Sequence, residues 1–135
     1  DEVLYNSLLD GCCKAGEVDM ALKVYSNMRA LKIRPSNVTF SILVKIHSKR
    51  NDLPTALEIL KEMKQENIEP GLIVYTCLIQ SCIRAREIPS AIDLFDEMRS
   101  RKSIMPDAHI YSILSNGLLL NGFPDKSLDL MLEAI

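Results

Sequence analysis

Four short polar residues stand one place after an aromatic: Asn6 after Tyr5, Ser41 after Phe40, Thr76 after Tyr75 and Ser112 after Tyr111. Lys14, Lys49 and Arg84 each lie nine residues after the first three aromatics, and Leu120 breaks the series in the fourth place. An amide or hydroxyl can meet the hydrogen-bonding edge of a base, and a cation recurring at a fixed step fits one phosphate contact per step. Two plainer uses stand beside that one. Short polar residues near a helix start cap it, and cations near a helix C-terminus are favoured by its negative end.

Bond-making chemistry has no comparable support. The two histidines, His47 and His109, fall at different places in the pattern and belong to no nucleophile or metal constellation. His47 reads as a partly exposed helix residue, and His109 as one that flanks a base or solvent. Cys12 and Cys13 are adjacent, and Cys77 and Cys82 are five apart, so neither pair has a usual zinc spacing. The four read as reduced, mostly buried thiols, which favours a reducing compartment. There is no glycine-rich phosphate loop, CxxC or HxE signature. The expectation is a protein that is not an enzyme, with no catalytic residue, metal, cofactor or small-molecule substrate.

The elements that must position these residues follow from a repeat. The aromatics, a leucine three places later (Leu8, Leu43, Leu78, Leu114) and a small residue (Ala21, Ala56, Ala91, Ser127) recur at steps of 35, 35 and 36. Met28, Met63 and Met98 keep the step, as do Pro35, Pro70 and Pro106. A period of that size means stacked structural units. Each unit reads as two helices. The first stops at Gly16 in one unit and at Asn51–Asp52 in the next. The second starts near Asp19, Pro54, Pro89 or Asp125, where proline and aspartate suit a first turn. The strings "RPS", "EPG" and "MPD" are expected to end the second helix. The extra residue of the third unit falls between Met98 and Ile104 and is expected in that exit. The units span 2–36, 37–71, 72–107 and 108–135. A helix pair this short cannot cover its own apolar face, whereas stacked neighbours can. The fold class is therefore all-α, a solenoid of helical hairpins.

Charge is segregated along this frame. The first-helix segments 3–15, 38–50, 73–86 and 109–121 hold Lys14, Lys45, Lys49, Arg50, Arg84 and Arg86 against Asp10 alone. The net charge is −2, so the remainder is acidic. In a two-layer solenoid the first helices line one face, and a positive groove is what a single-stranded phosphate backbone requires. No apolar run is long enough for a membrane span. The chain opens without Met, ends inside a second helix and lacks a polar capping helix. It reads as a piece of a longer array, with any targeting segment expected outside it.

The string "VLYNSLLDGCCKAGEVDMALKVYSNMRALKIRPS" resembles a pentatricopeptide repeat almost throughout, in "YNSLLDG", "CKAG", "VDMAL", the Met and the final Pro. The next two units match well and the fourth more loosely. The tetratricopeptide repeat usually has a period of 34 and a Trp-x-x-Leu-Gly opening, and this chain has no Trp. The resemblance implies a right-handed α-α superhelix that binds single-stranded RNA, one base per repeat. It further implies that Asn6, Ser41, Thr76 and Ser112 read bases. Their partners are the last residues of the units, Ser36, Gly71 and Asp107. Val3, Val38, Ile73 and His109 clamp the base, and Lys14, Lys49 and Arg84 contact phosphate. Carried over, Asn6 with Ser36 reads cytosine and Thr76 with Asp107 reads guanine. Ser41 with Gly71 departs from the common pairs, so the implied target is C–N–G with an open middle base. Organelle RNA processing, stability, editing or translation, in mitochondrion or chloroplast, comes from the resemblance alone. So does partnership with other proteins of an organelle RNA complex. The alternative function is a helical-repeat scaffold for protein–protein interaction within such an assembly.

Overall fold

The computed structural model describes residues 1–135. They form eight helices and no strand: α1 (Glu2–Ala15), α2 (Val18–Ala30), α3 (Asn37–Lys49), α4 (Leu53–Gln65), α5 (Leu72–Arg84), α6 (Ile88–Ser100), α7 (Ala108–Leu120) and α8 (Pro124–Ala134). They pair as hairpins, α1 with α2 through α7 with α8, and the hairpins stack into a solenoid.

One device makes every hairpin turn. Gly16, Asn51, Arg86 and Gly122 all have positive φ, between 57° and 87°. The next residue closes a Schellman bond back across the turn: Glu17 N–H to Cys12 C=O at 2.9 Å, Asp52 to His47 at 2.9 Å, Glu87 to Cys82 at 2.8 Å and Phe123 to Leu118 at 2.8 Å. The second helix begins two residues later, so Pro54 and Pro89 fall in its first turn, where no N–H is missed.

The exits differ from expectation. The second helices end at Ala30, Gln65 and Ser100, and not at the proline strings. Lys32 and Asn67 turn the chain with φ of 59°, and the bonds Ile33 N–H to Met28 C=O and Ile68 N–H to Met63 C=O lock the turn. Pro35 and Pro70 come later and are buried in the link before the next helix. In the third exit Arg101 is extended and no residue has positive φ, which is where the additional residue is taken up. Asp1, Ser36, Gly71 and Asp107 are the N-caps of α1, α3, α5 and α7.

The core runs the length of the stack. Ala21, Ala56 and Ala91 are sealed between the paired helices. Ser127 takes the same place in the last hairpin and donates to the Ser115 carbonyl at 2.7 Å. Two of the first-helix aromatics meet a ring of the preceding hairpin. Tyr25 packs edge-on against Phe40 at 6.3 Å, and Phe95 against Tyr111 at 5.4 Å. Cys12, Cys13 and Cys82 fill the core as free thiols, with Cys77 half-buried. His47 is buried as well, with 4% of its surface exposed, and this overturns the partly exposed position expected for it. It lies in the last turn of α3, on the side that packs into the hairpin.

The two layers touch differently. First helices pack directly on one another, α1 on α3, α3 on α5 and α5 on α7. Second helices communicate through long side chains: Arg29 with Glu66 at 2.8 Å, Lys64 with Glu97 at 2.5 Å, and Arg99 with Glu133. The stack is thus tighter on the first-helix side, the inner layer expected of such a solenoid.

Candidate nucleic-acid interface

On an α-helix, residues at i, i+3, i+7 and i+11 fall on one face. The first helices carry four such stripes: Val3–Asn6–Asp10–Lys14, Val38–Ser41–Lys45–Lys49, Ile73–Thr76–Gln80–Arg84 and His109–Ser112–Asn116–Leu120. None of these side chains is buried. Val3 is 78% exposed, Val38 57% and Ile73 60%, so three large apolar side chains stand bare at the same place on successive helices. His109 is exposed at the fourth.

The short polar residues are half-buried in the first three helices and exposed in the fourth. Ser41 donates to the Asn37 carbonyl at 2.7 Å and Thr76 to the Leu72 carbonyl at 2.8 Å. Each hydroxyl therefore turns its lone pairs outward. Asn6 is held from two sides: its Nδ2 donates to Glu2 at 3.1 Å, and its Oδ1 accepts from Thr39 at 2.6 Å. The same Thr39 oxygen accepts from the Ser36 backbone N–H at 3.1 Å. Buried Thr39 thus links Asn6 to Ser36 across two hairpins. Asp107 caps α7 by accepting from Ile110 N–H at 2.9 Å through one carboxylate oxygen. Gly71 offers backbone only.

The cations are not equivalent. Lys14 pairs with Asp10 at 3.0 Å, with both side chains well exposed. Arg84 leans back over the preceding hairpin, donating to the Ser48 carbonyl at 2.8 Å and to Asn51 Oδ1 at 3.0 Å. Lys49 is exposed and makes no ion pair, although Glu17 and Asp19 share the hollow at its base. Lys45 is also exposed and unpaired. Burial pushes the Cys77 thiol up while Lys45, Arg84 and Lys49 pull it the other way, so three cations gather around one half-buried side chain of α5.

Sequence reading did not assign a site role to Asp10, Lys45, Gln80 or Asn116. Their spacing from Val3 and its equivalents was the available signal. Among the residues there is no group of three or more His, Cys, Asp or Glu side chains placed to hold a metal ion. No helix is long and apolar enough to cross a membrane.

Known proteins share this fold. The chain superposes on the crystal structure of the pentatricopeptide repeat protein PPR10 from maize with a TM-score of 0.86 and 21% identity, covering 96% of this chain and 18% of PPR10. PPR10 in complex with an 18-nt psaJ RNA element gives 0.82 and 20%, covering 97% and 19%. The PPR domain of Arabidopsis thaliana protein-only RNase P 1, in complex with tRNA, gives 0.65 and 18%, covering 98% and 88%. The chain therefore spans about a fifth of the length of PPR10. No curated protein matches it in sequence. The profile of the PPR repeat family matches residues 1–49 and 70–119, and that of the pentatricopeptide repeat domain matches 51–82. With these matches running along nearly the whole chain, it belongs to the pentatricopeptide repeat family.

Proposed function

We propose that the chain binds single-stranded RNA along the inward face of its first helices, one base for each of the units 2–36, 37–71, 72–107 and 108–135. The observation that carries this reading is the recurring stripe, in which a bare apolar or imidazole side chain and a short polar group repeat on four successive helices and a basic end repeats on the first three. Val3, Val38, Ile73 and His109 offer faces against which bases stack without sequence preference. Asn6 with Ser36, Ser41 with Gly71, Thr76 with Asp107, and Ser112 meet base edges. Lys14, Lys49 and Arg84 meet phosphates, and Lys45 joins them. The free oxygen of Asp107 suits the two donors on the guanine edge. Relatives of this fold have been seen with RNA and with tRNA. The family supports a place in organelle RNA processing, stability, editing or translation.

Fluorescence anisotropy with a short RNA carrying a C–N–G core tests the reading. Binding is expected to weaken linearly in log–log form as salt rises. Thr76→Asn should cut the preference for guanine at the third base by about fivefold, a change of the size of one hydrogen bond. Equal affinity for every third base in the parent chain, or no RNA binding at low salt, overturns the proposal.

A further inference from the structure

The second unit is the one whose last residue has no side chain to offer. Gly71 ends it, and Ser41 alone would face the base. The structure fills the gap from another place. Asn37 is the first residue of α3, one turn before Ser41, and is exposed. Its Oδ1 lies 3.3 Å from Ser41 Oγ. Its Nδ2 lies 3.4 Å from the point where a Cβ on Gly71 would stand. The carboxamide therefore bridges the two members of the pair and lies in contact with the point where a side chain at 71 would begin.

The other units do not repeat this. Glu2 stands at the equivalent place in the first unit, and its carboxylate is spent on Asn6 Nδ2. Leu72 and Ala108 follow in the third and fourth and carry no polar group. Only in the second unit do a missing terminal side chain and a polar neighbour coincide.

Resting on the reading of the groove as an RNA site, we infer that Asn37 is the second specificity-determining side chain of this unit, and that its base site selects a pyrimidine. The chemistry follows from what the amide still has to give. Its oxygen is turned to Ser41, whereas no hydrogen bond in the structure uses its nitrogen. The site thus presents two N–H donors, while the one Ser41 hydroxyl proton is shared between the Asn37 carbonyl at 2.7 Å and Asn37 Oδ1 at 3.3 Å. Uracil and cytosine each carry two acceptors on the Watson–Crick edge. Adenine and guanine each carry one there, and guanine adds a second donor. A donor-rich site favours the first pair. The middle base is then read, not left open, and the core target becomes C–Y–G, where Y is either pyrimidine.

The test uses four RNAs identical except for A, C, G or U at the middle of C–N–G, with the intact 135-residue chain. Both pyrimidines are expected to bind about three- to tenfold tighter than either purine, the range of one or two neutral hydrogen bonds. Asn37→Ala should level the four affinities. Asn37→Asp replaces donors by acceptors and should move the preference to guanine. Ratios among RNAs within one variant cancel any loss of folded protein. Equal binding of all four by the parent chain, with the first and third bases still discriminated, overturns this inference and leaves the RNA reading standing. So does a pyrimidine preference that survives Asn37→Ala. Absence of any RNA binding overturns both.

Discussion

His47 shows how one side chain sets a pH limit on the fold. Both ring nitrogens are buried without a hydrogen-bond partner, and Asp52 Oδ2 approaches Nδ1 only to 4.0 Å. Burial lowers its pKa from the ordinary 6.5, outweighing the opposing pull of Asp52, and Arg50 adds to the lowering. The folded state thus takes up the proton less readily than the unfolded chain. Stability from this residue is complete above about pH 6.5 and is lost as pH falls through the folded value. Asp52 is held below its ordinary 3.8 by its hydrogen bond from Thr55, so its own contribution fails only in stronger acid. Urea melts at pH 7 and pH 5 should show a loss for the parent chain and a smaller one for His47→Leu. The leucine should also add about 1 kcal/mol at pH 7, because it removes two unsatisfied buried nitrogens. A parallel loss in both proteins would contradict the assignment. The burial of His47 was not legible beforehand. Apolar residues surround it in "LVKIHS", but a single polar residue gives no sign of which way its helix is rotated.

At the scale of the element, the hairpin turn sets a fixed backbone demand that the sequence meets unevenly. Glycine serves at positions 16 and 122 and asparagine at 51, but arginine stands at 86 with φ of 60°. A left-handed residue with a Cβ costs on the order of 1–2 kcal/mol. Arg86→Gly should therefore raise the unfolding free energy by about 1 kcal/mol in chemical denaturation, while Asn51→Gly should gain less, since asparagine tolerates this conformation. No gain at 86 would mean that the arginine side chain offsets the strain through contacts of its own. The same comparison shows what could be read in advance. The helix stops at Gly16 and at Asn51–Asp52 were legible from residue type, whereas Arg86 was read as part of its helix and is instead the turn residue. The exits were misread because proline was taken to end a helix, whereas Lys32 and Asn67 had already turned the chain. Nothing in a lysine announces a left-handed backbone; the tertiary frame imposes it. Asn37 escaped notice for a similar reason. Its importance depends on an absent side chain 34 residues away, which only the stacked geometry brings alongside.

Across the whole molecule, the groove's charge is concentrated toward the middle. Counting only stripe residues, Asp10 offsets Lys14 in the first hairpin, Lys45 and Lys49 are both free in the second, Arg84 is partly spent in the third, and the fourth has none. The basic bias of the first helices was legible from composition, but this unevenness was not, because it depends on which pairs close. Asp10→Asn should release Lys14, tighten RNA binding severalfold at low salt, and steepen the log–log salt slope by about 0.7, the increment for one added phosphate contact on a single strand. An unchanged slope would place Lys14 outside the phosphate path. The layering described above has a mechanical consequence. The inner helices are wedged directly together, whereas the outer ones are tied by flexible tethers such as Lys64–Glu97. The array should therefore bend as a folding fan does, about its inner edge. Its outer rim spreads or gathers, while the distance between consecutive nucleotide seats stays nearly constant.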